Sequence, residues 1–194
     1  MKNFIFGYGS LISTESRVRT ANTGDAIPVR VHGLQRAWNF HNKVRKRNAL
    51  GVILNGDSVC NGIITEVNEE TFADFDVREE GYNRIEIDPK NIEVLKDSLP
   101  EGNFWVYVPK ESILPTKDSP VEQSYVDVVI TGCLEFGEDF AQELINSTLY
   151  WDHAWVNDRK NPSYPRYLKN PQLERIDTHL KTFVPEAFDK RIDL

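Results

Sequence analysis

The stretch that most constrains the fold is residues 4–11, which read Phe-Ile-Phe-Gly-Tyr-Gly-Ser-Leu. Aromatic and β-branched side chains predict a strand, and Gly7-Tyr8-Gly9-Ser10 ends it abruptly. The two glycines allow φ > 0 and a close approach of the backbone to a ligand. A strand that ends in such a loop leaves backbone N–H groups unpaired, and these groups suit a carboxylate or an oxyanion. The alternative is a tight turn with a buried Tyr8, and residues 4–11 taken alone favour that alternative.

The length and charge of the chain exclude several classes of protein. The 194 residues are enough for one domain with one sizeable core. The net charge of −7 argues against nucleic-acid partners and anionic lipid surfaces. No run approaches the ~20 apolar residues of a membrane span, and the N-terminus lacks the features of a signal peptide. We therefore expect a cytoplasmic protein with no nucleic-acid or membrane partner, while the oligomeric state is not determined by the sequence.

Motifs for metals and for nucleotides are missing from the sequence. The two cysteines, Cys60 and Cys133, lie far apart without a CxxC partner, so we expect neither a metal site nor a redox site. No GxSxG surrounds Ser10, and GxGxxG and GxxxxGK[ST] do not occur. A serine hydrolase and a nucleotide-binding protein are therefore both disfavoured.

The order of predicted elements is strand-rich first and helix-rich last. Predicted strands after the first cover residues 26–31, 34–40, 50–54, 59–67, 82–87, 91–95 and 104–108. Later predicted helices follow Pro120 and cover residues 138–150 and 172–184. Asn55-Gly56-Asp57 predicts a hairpin turn, and the basic cluster at residues 41–47 predicts a solvated loop between strands.

A predicted helix at residues 68–80 carries the candidate catalytic group. Phe72, Phe75, Asp76 and Glu79 recur at i, i+3, i+4 and i+7, so they share one face. A carboxylate on an apolar face is costly unless it is neutral, paired or hydrogen-bonded. Glu79 is also near the negative end of its helix, which favours its protonated form, although an adjacent arginine opposes this. Glu79 is therefore either a general acid/base or a member of a structural ion pair, and periodicity alone favours neither.

Two later segments also leave alternatives open. Tyr125 lies at the start of the helix that follows Pro120, where it either packs in the core or offers its hydroxyl to a ligand. Residues 151–171 are rich in aromatic residues and predict an ordered loop on the domain surface. Arg159 and Arg166 in this loop either bind a substrate carboxylate or pair with acidic side chains, and the second alternative is favoured.

Taken together, these features resemble a known family. Four elements occur in this order: Tyr8-Gly9-Ser10-Leu11, the strand around Gly62-Ile63-Ile64, Asp76-Val77-Arg78-Glu79 followed by Gly81, and Pro120 with Tyr125. That combination resembles the γ-glutamylcyclotransferase-like family, which includes the ChaC-type enzymes. The resemblance covers residues 1–132, and the tail from residue 151 lies outside the common core.

The resemblance implies an α+β fold, in which a small mixed or antiparallel β-barrel is flanked by helices. The barrel domain would span residues 1–136, and residues 137–194 would form a helical extension packed on the same domain. The implied reaction is intramolecular: the α-amine of a γ-glutamyl compound attacks the γ-carbonyl and releases 5-oxoproline and a free amine, amino acid or peptide. No cofactor and no metal are implied.

The resemblance also assigns roles to individual residues. Glu79 corresponds to the general acid/base of the family. The implied substrate-binding residues are Tyr8, Gly9, Ser10, Leu11 and Tyr125. The alternative is a catalytically silent module that binds a small molecule on the same fold, because a fold does not dictate a function. The position of Glu79 relative to the Tyr8 loop discriminates between the two.

Overall fold

The structure is a computed structural model that describes residues 1–20, 23–68, 72 and 81–194. Its strands are β1 Asn3–Gly7, β2 Ala26–Asn42, β3 Arg47–Val67, β4 Tyr82–Ile87, β5 Ile92–Val94, β6 Asn103–Pro109, β7 Val121–Glu122, β8 Trp155–Asn157 and β9 Ile192–Asp193. Its helices are α1 Thr14–Val18, α2 Gln123–Leu134, α3 Glu138–Ser147, α4 Leu173–Phe183 and α5 Pro185–Lys190. Most of the predicted helix at residues 68–80, Glu79 included, lies outside the described residues. Within the described ranges, no helix is long and apolar enough to span a bilayer.

The strands form one mixed sheet. Strand β1 pairs antiparallel with β3 and parallel with β6, so it lies inside the sheet with a neighbour on each side. The order is β4-β6-β1-β3-β7-β8-β9, and β2 pairs with both β3 and β5. This sheet with its surrounding helices confirms the predicted α+β class. The strand pairs among the described residues do not form a closed ring of strands. This open arrangement does not exclude the predicted barrel.

The long hairpin of β2 and β3 corrects one prediction. Asn55-Gly56-Asp57 is not a hairpin turn, because β3 runs without interruption from Arg47 to Val67. On β2, His32 pairs with Val59 and Leu34 pairs with Leu54. Residues 55–58 of β3 therefore form a bulge opposite the single residue Gly33. Gly33 has φ +87°, a left-handed conformation that suits glycine. The true turn lies at residues 43–46.

Helix α2 passes through the core and holds Tyr125 in its first turn. Tyr125 lies in the buried cluster with Val126, Val128, Val129 and Ile130. Helices α2 and α3 pack against each other, and α3 also packs against β3. Since α2 is buried around most of its circumference, it is a rigid support for any group on its first turn. The predicted helix after Pro120 is confirmed.

The segment after α3 returns to the start of α2. Strand β8 pairs parallel with β7, and β9 pairs with β8. Just after β8, the carboxylate of Asp158 accepts hydrogen bonds from the backbone N–H groups of Ser124 and Ser163 and from the Ser124 hydroxyl. These bonds fix the tail against α2, so residues 164–166 lie beside Tyr125. As predicted, the tail is an ordered loop on the domain.

Candidate functional site

A cavity of about 250 Å³ opens where β1 ends. Its walls come from the loop after β1, the closed end of the β2–β3 hairpin, the first turn of α2 and the tail. All five predicted substrate-binding residues line it: Tyr8, Gly9, Ser10, Leu11 and Tyr125. Side chains that are separated by more than a hundred positions in sequence are thus brought to one hollow. That these residues bind substrate remains a prediction.

The loop at residues 8–11 is held from behind by a buried arginine. Arg36 on β2 is fully buried, and its Nε donates a 2.9 Å hydrogen bond to the carbonyl oxygen of Tyr8. Its Nη1 donates to Asn61 Oδ1 at 3.0 Å, and its Nη2 donates to the Asn61 carbonyl. A buried guanidinium requires such partners, because an unsatisfied buried donor is costly. The contact fixes the direction in which the peptide after Tyr8 points.

The carbonyl groups of Gly9 and Leu11 are also occupied. The backbone N–H of Ile12 donates to the Gly9 carbonyl at 3.0 Å, and Arg17 Nη1 donates to the Leu11 carbonyl at 2.8 Å. In contrast, the N–H groups of Gly9 and Leu11 have no acceptor within the part of the chain that the structure describes. The loop therefore has two N–H donors available to an incoming ligand, which suits an anion.

Tyr125 approaches the loop closely, and only glycine permits this approach. A Cβ atom placed on Gly9 would lie 2.8 Å from the Tyr125 hydroxyl oxygen. Burial raises the pKa of Tyr125, and the neighbouring Tyr164 raises it further, whereas Arg166 and the nearby backbone N–H groups of Leu50 and Ser10 act in the opposite direction. The hydroxyl therefore stays protonated at neutral pH, so it is able to donate a hydrogen bond into the cavity.

One wall of the cavity is aromatic. Tyr8 is buried, and its hydroxyl donates to the Tyr107 carbonyl at 2.6 Å. Tyr82 stacks on Phe40 with ring centroids 4.1 Å apart, and both line the cavity. Tyr82 is three positions after Glu79 in the sequence. Glu79 itself lies outside the described residues, so its place relative to the cavity is not part of the observed geometry.

The basic cluster at residues 41–47 is more than a solvated loop. The side chains of Arg45 and Arg47 are only 25% and 26% exposed, and both line the cavity. They pair with the carboxylate of Glu122, which is 1% exposed, and Glu122 also accepts a 2.6 Å hydrogen bond from the Ser163 hydroxyl. The sequence prediction missed this because Glu122 is more than seventy positions away and no local pattern connects it to the hairpin.

Arg159 and Arg166, the two arginines of residues 151–171, have different environments. Arg159 binds both carboxylate oxygens of Asp127, at 2.7 and 2.8 Å, and it also pairs with Asp177. For Arg159 the structural alternative is therefore correct. Arg166 lines the cavity together with Tyr164, and its Nη2 donates to the Tyr164 hydroxyl. Within the described ranges, no three or more His, Cys, Asp or Glu side chains are grouped to hold a metal ion.

Comparison with known proteins identifies the fold. No model of a known protein family matches the sequence, and no curated protein matches it. Among solved structures, one described as a γ-glutamyl cyclotransferase is 15% identical with a TM-score of 0.58, covering 93% of this chain and 99% of that chain. A Homo sapiens protein described as uncharacterized is 17% identical with a TM-score of 0.56, covering 92% of this chain and 98% of that chain. YkqA from Bacillus subtilis is 14% identical with a TM-score of 0.55, covering 74% of this chain and 52% of that chain.

Proposed function

Because the chain has the γ-glutamyl cyclotransferase fold, we propose that it is a cofactor-free cyclotransferase acting on a γ-glutamyl compound. The products would be 5-oxoproline and the free amine, amino acid or peptide. The observation that carries the proposal is the meeting of residues 8–11 with Tyr125 at one cavity, on a fold shared with a structure described as such an enzyme. A fold alone does not establish a function, so the composition of the site is the stronger argument.

In the proposed reaction, Glu79 is the general acid/base. Its carboxylate removes a proton from the α-ammonium group, and the freed amine attacks the γ-carbonyl carbon. A C–N bond then forms to close the five-membered ring, while the original amide C–N bond breaks. The protonated Glu79 gives its proton to the departing nitrogen, and the second proton of the ring nitrogen passes to the released amine, which leaves as an ammonium ion. One carboxyl group is sufficient because both nitrogens are bonded to the same carbon in the intermediate.

The loop at residues 8–11 would stabilise negative charge in this reaction. The N–H groups of Gly9 and Leu11 are the available donors, and the Tyr125 hydroxyl is protonated and adjacent. Loss of one donor to an oxyanion typically costs about 3–4 kcal/mol in the transition state. Because the ring closure is intramolecular, much of the remaining acceleration would come from holding the substrate in a folded conformation.

The proposal is tested by incubating the protein with a panel of γ-glutamyl amines, amino acids and peptides and measuring 5-oxoproline by chromatography. We expect product from the wild type and at least a hundredfold less from Glu79→Gln, a size typical for loss of a general acid/base. Glu80→Gln is the matched control, since it removes the same group from the adjacent position. Circular dichroism of each variant checks that the fold is retained.

Two results would contradict the proposal in different ways. Unchanged turnover in Glu79→Gln would remove this residue from the mechanism. Binding of γ-glutamyl compounds without any 5-oxoproline, measured by calorimetry on the wild type, would instead favour the silent binding module.

A further inference from the structure

Building on the proposed function, we infer that Arg45 and Arg166 form a subsite for a carboxylate on the leaving group. The substrate would then be a γ-glutamyl amino acid or peptide rather than a γ-glutamyl amine. Neither arginine belongs to the predicted substrate-binding set, and one of them comes from the tail that lies outside the common core.

The two guanidinium groups meet at one aromatic ring of the cavity. The Cζ atom of Arg45 lies 5.4 Å from the centroid of the Tyr164 ring, and the Cζ atom of Arg166 lies 5.1 Å from it. Tyr164 packs edge-on against Tyr125 with centroids 4.8 Å apart. The arginines thus come from the hairpin turn and from the tail, and they converge next to a predicted substrate-binding residue.

The three arginines that line the cavity differ in their carboxylate partners among the described residues. Arg45 and Arg47 share the single carboxylate of Glu122. The hydrogen bonds of Arg166 go to the hydroxyl groups of Ser10, Ser16 and Tyr164, all of them neutral. No carboxylate of the described residues pairs with Arg166. Arg166 is therefore the arginine of the cavity wall that is available to an anionic ligand.

The shared part of every γ-glutamyl substrate brings no net charge to the cavity. Its α-carboxylate and α-ammonium groups have opposite charges and sum to zero. A leaving amino acid adds one carboxylate, and guanidinium groups bind carboxylates through strong charge-assisted hydrogen bonds. Arg166 therefore suits a substrate with an anionic leaving group, and Arg45 adds a second guanidinium at the same ring.

The position of Arg166 also fits the geometry of the scissile bond. Its Nη2 donates to Ser10 Oγ at 3.4 Å, so it lies directly beside the loop proposed to bind the γ-glutamyl group. In a γ-glutamyl amino acid, the second carboxylate is attached to the carbon next to the scissile nitrogen. A group that binds this carboxylate must therefore adjoin the loop, as Arg166 does.

The test compares three substrates that differ at one group: γ-glutamyl-L-alanine, γ-glutamyl-L-alaninamide and γ-glutamyl-ethylamine. The amide replaces the carboxylate with a neutral group of similar size, and ethylamine lacks it. One charge-assisted contact corresponds to about a tenfold to hundredfold effect, so we expect kcat/KM for the alanine compound to exceed both others by at least about tenfold. Arg166→Gln and Arg45→Gln should each reduce this ratio to about threefold or less. Arg175→Gln, an exposed arginine on α4, should leave the ratio unchanged.

Equal kcat/KM values for the three compounds in the wild type would overturn the subsite while leaving the proposed function intact. The same conclusion follows if Arg166→Gln and Arg45→Gln weaken all three equally, because the arginines would then bind the shared α-carboxylate. If no 5-oxoproline forms, the affinities of the Glu79→Gln variant for the three compounds, measured by calorimetry, decide the question. Tighter binding of the alanine compound would support the subsite, and equal or absent binding would overturn it.

Discussion

Arg36 Nε donates a 2.9 Å hydrogen bond to the carbonyl oxygen of Tyr8, across 28 positions of the sequence. The guanidinium is fully buried, and its other bonds go mainly to the side chain and backbone of Asn61. The side chain therefore links the loop at the cavity to the middle of the β2–β3 hairpin. Arg36 therefore acts by positioning the loop, because its guanidinium contacts the back of the loop and not the cavity.

Replacing Arg36 with Lys keeps the charge and removes the planar fork of donors. An ammonium group cannot serve the Tyr8 and Asn61 carbonyls in the same geometry, so at least one buried acceptor loses its partner. We expect a loss of about 2–4 kcal/mol in the free energy of unfolding, measured by urea denaturation. Arg175→Lys on the exposed face of α4 is the control and should change stability by less than about 0.5 kcal/mol. A loss below about 1 kcal/mol in Arg36→Lys would show that the contact is dispensable.

The close approach of Gly9 to Tyr125 predicts coupling between the two positions. In Gly9→Ala the new Cβ would lie 2.8 Å from the Tyr125 hydroxyl, so one of the two must shift. Tyr125→Phe removes that oxygen and should relieve part of the clash. We expect the double variant to be more stable than the sum of the two single effects predicts. A double-mutant cycle in unfolding free energy should give this coupling as about 0.5–3 kcal/mol. Gly56→Ala is the control, since a Cβ there meets nothing within 4 Å. Strictly additive effects would argue against the contact.

The carboxylate of Asp158 should make stability depend on pH in a defined direction. Burial alone would raise the pKa of Asp158, but hydrogen bonds from Ser124 and Ser163 outweigh burial and lower the pKa. A carboxyl group whose pKa falls on folding stabilises the protein above its unfolded pKa of about 4, and this contribution is lost as the pH falls through the folded-state pKa. Asp158→Asn should therefore cost about 2–4 kcal/mol at pH 7, and the difference from wild type should shrink below about pH 4.

The control for this comparison is Asp152→Asn, because the side chain of Asp152 is 84% exposed and lies six positions earlier. It should leave the unfolding free energy within about 0.5 kcal/mol of wild type at both pH values. A pH-independent difference for Asp158→Asn would mean that the carboxylate is not the stabilising species. Thermal unfolding monitored between about pH 3 and pH 8 provides the measurement.

The two thiols should be unreactive in the folded protein. Cys60 and Cys133 are fully buried, and burial raises the pKa of both thiols, that of Cys133 to about 12. At pH 8 the thiolate population of Cys133 is on the order of a thousandfold lower than that of an ordinary cysteine. Ellman's reagent should therefore report no free thiol in the native protein over an hour and both thiols in guanidinium chloride. A thiol that reacts within minutes under native conditions would contradict the burial.

Local sequence patterns correctly predicted elements whose structure depends on residues close in sequence. The strand and glycine loop at residues 4–11 and the helix after Pro120 are present in the structure. The Asn55-Gly56-Asp57 hairpin turn was wrong because β3 pairs with β2 on both sides of these residues, and that pairing is not encoded in the three residues. The helix at residues 68–80 and the role of Glu79 remain predictions.

The sequence by itself determined which residues end strands, start helices and present donors, since these properties follow from side-chain shape and from spacing over a few positions. Only the tertiary structure decided which charges share the cavity. Arg166 reaches Ser10 across 156 positions, and Arg45 reaches Glu122 across 77 positions. The spacing of residues carries no signal for such pairs, because they form only when the tail and the hairpin turn pack against α2.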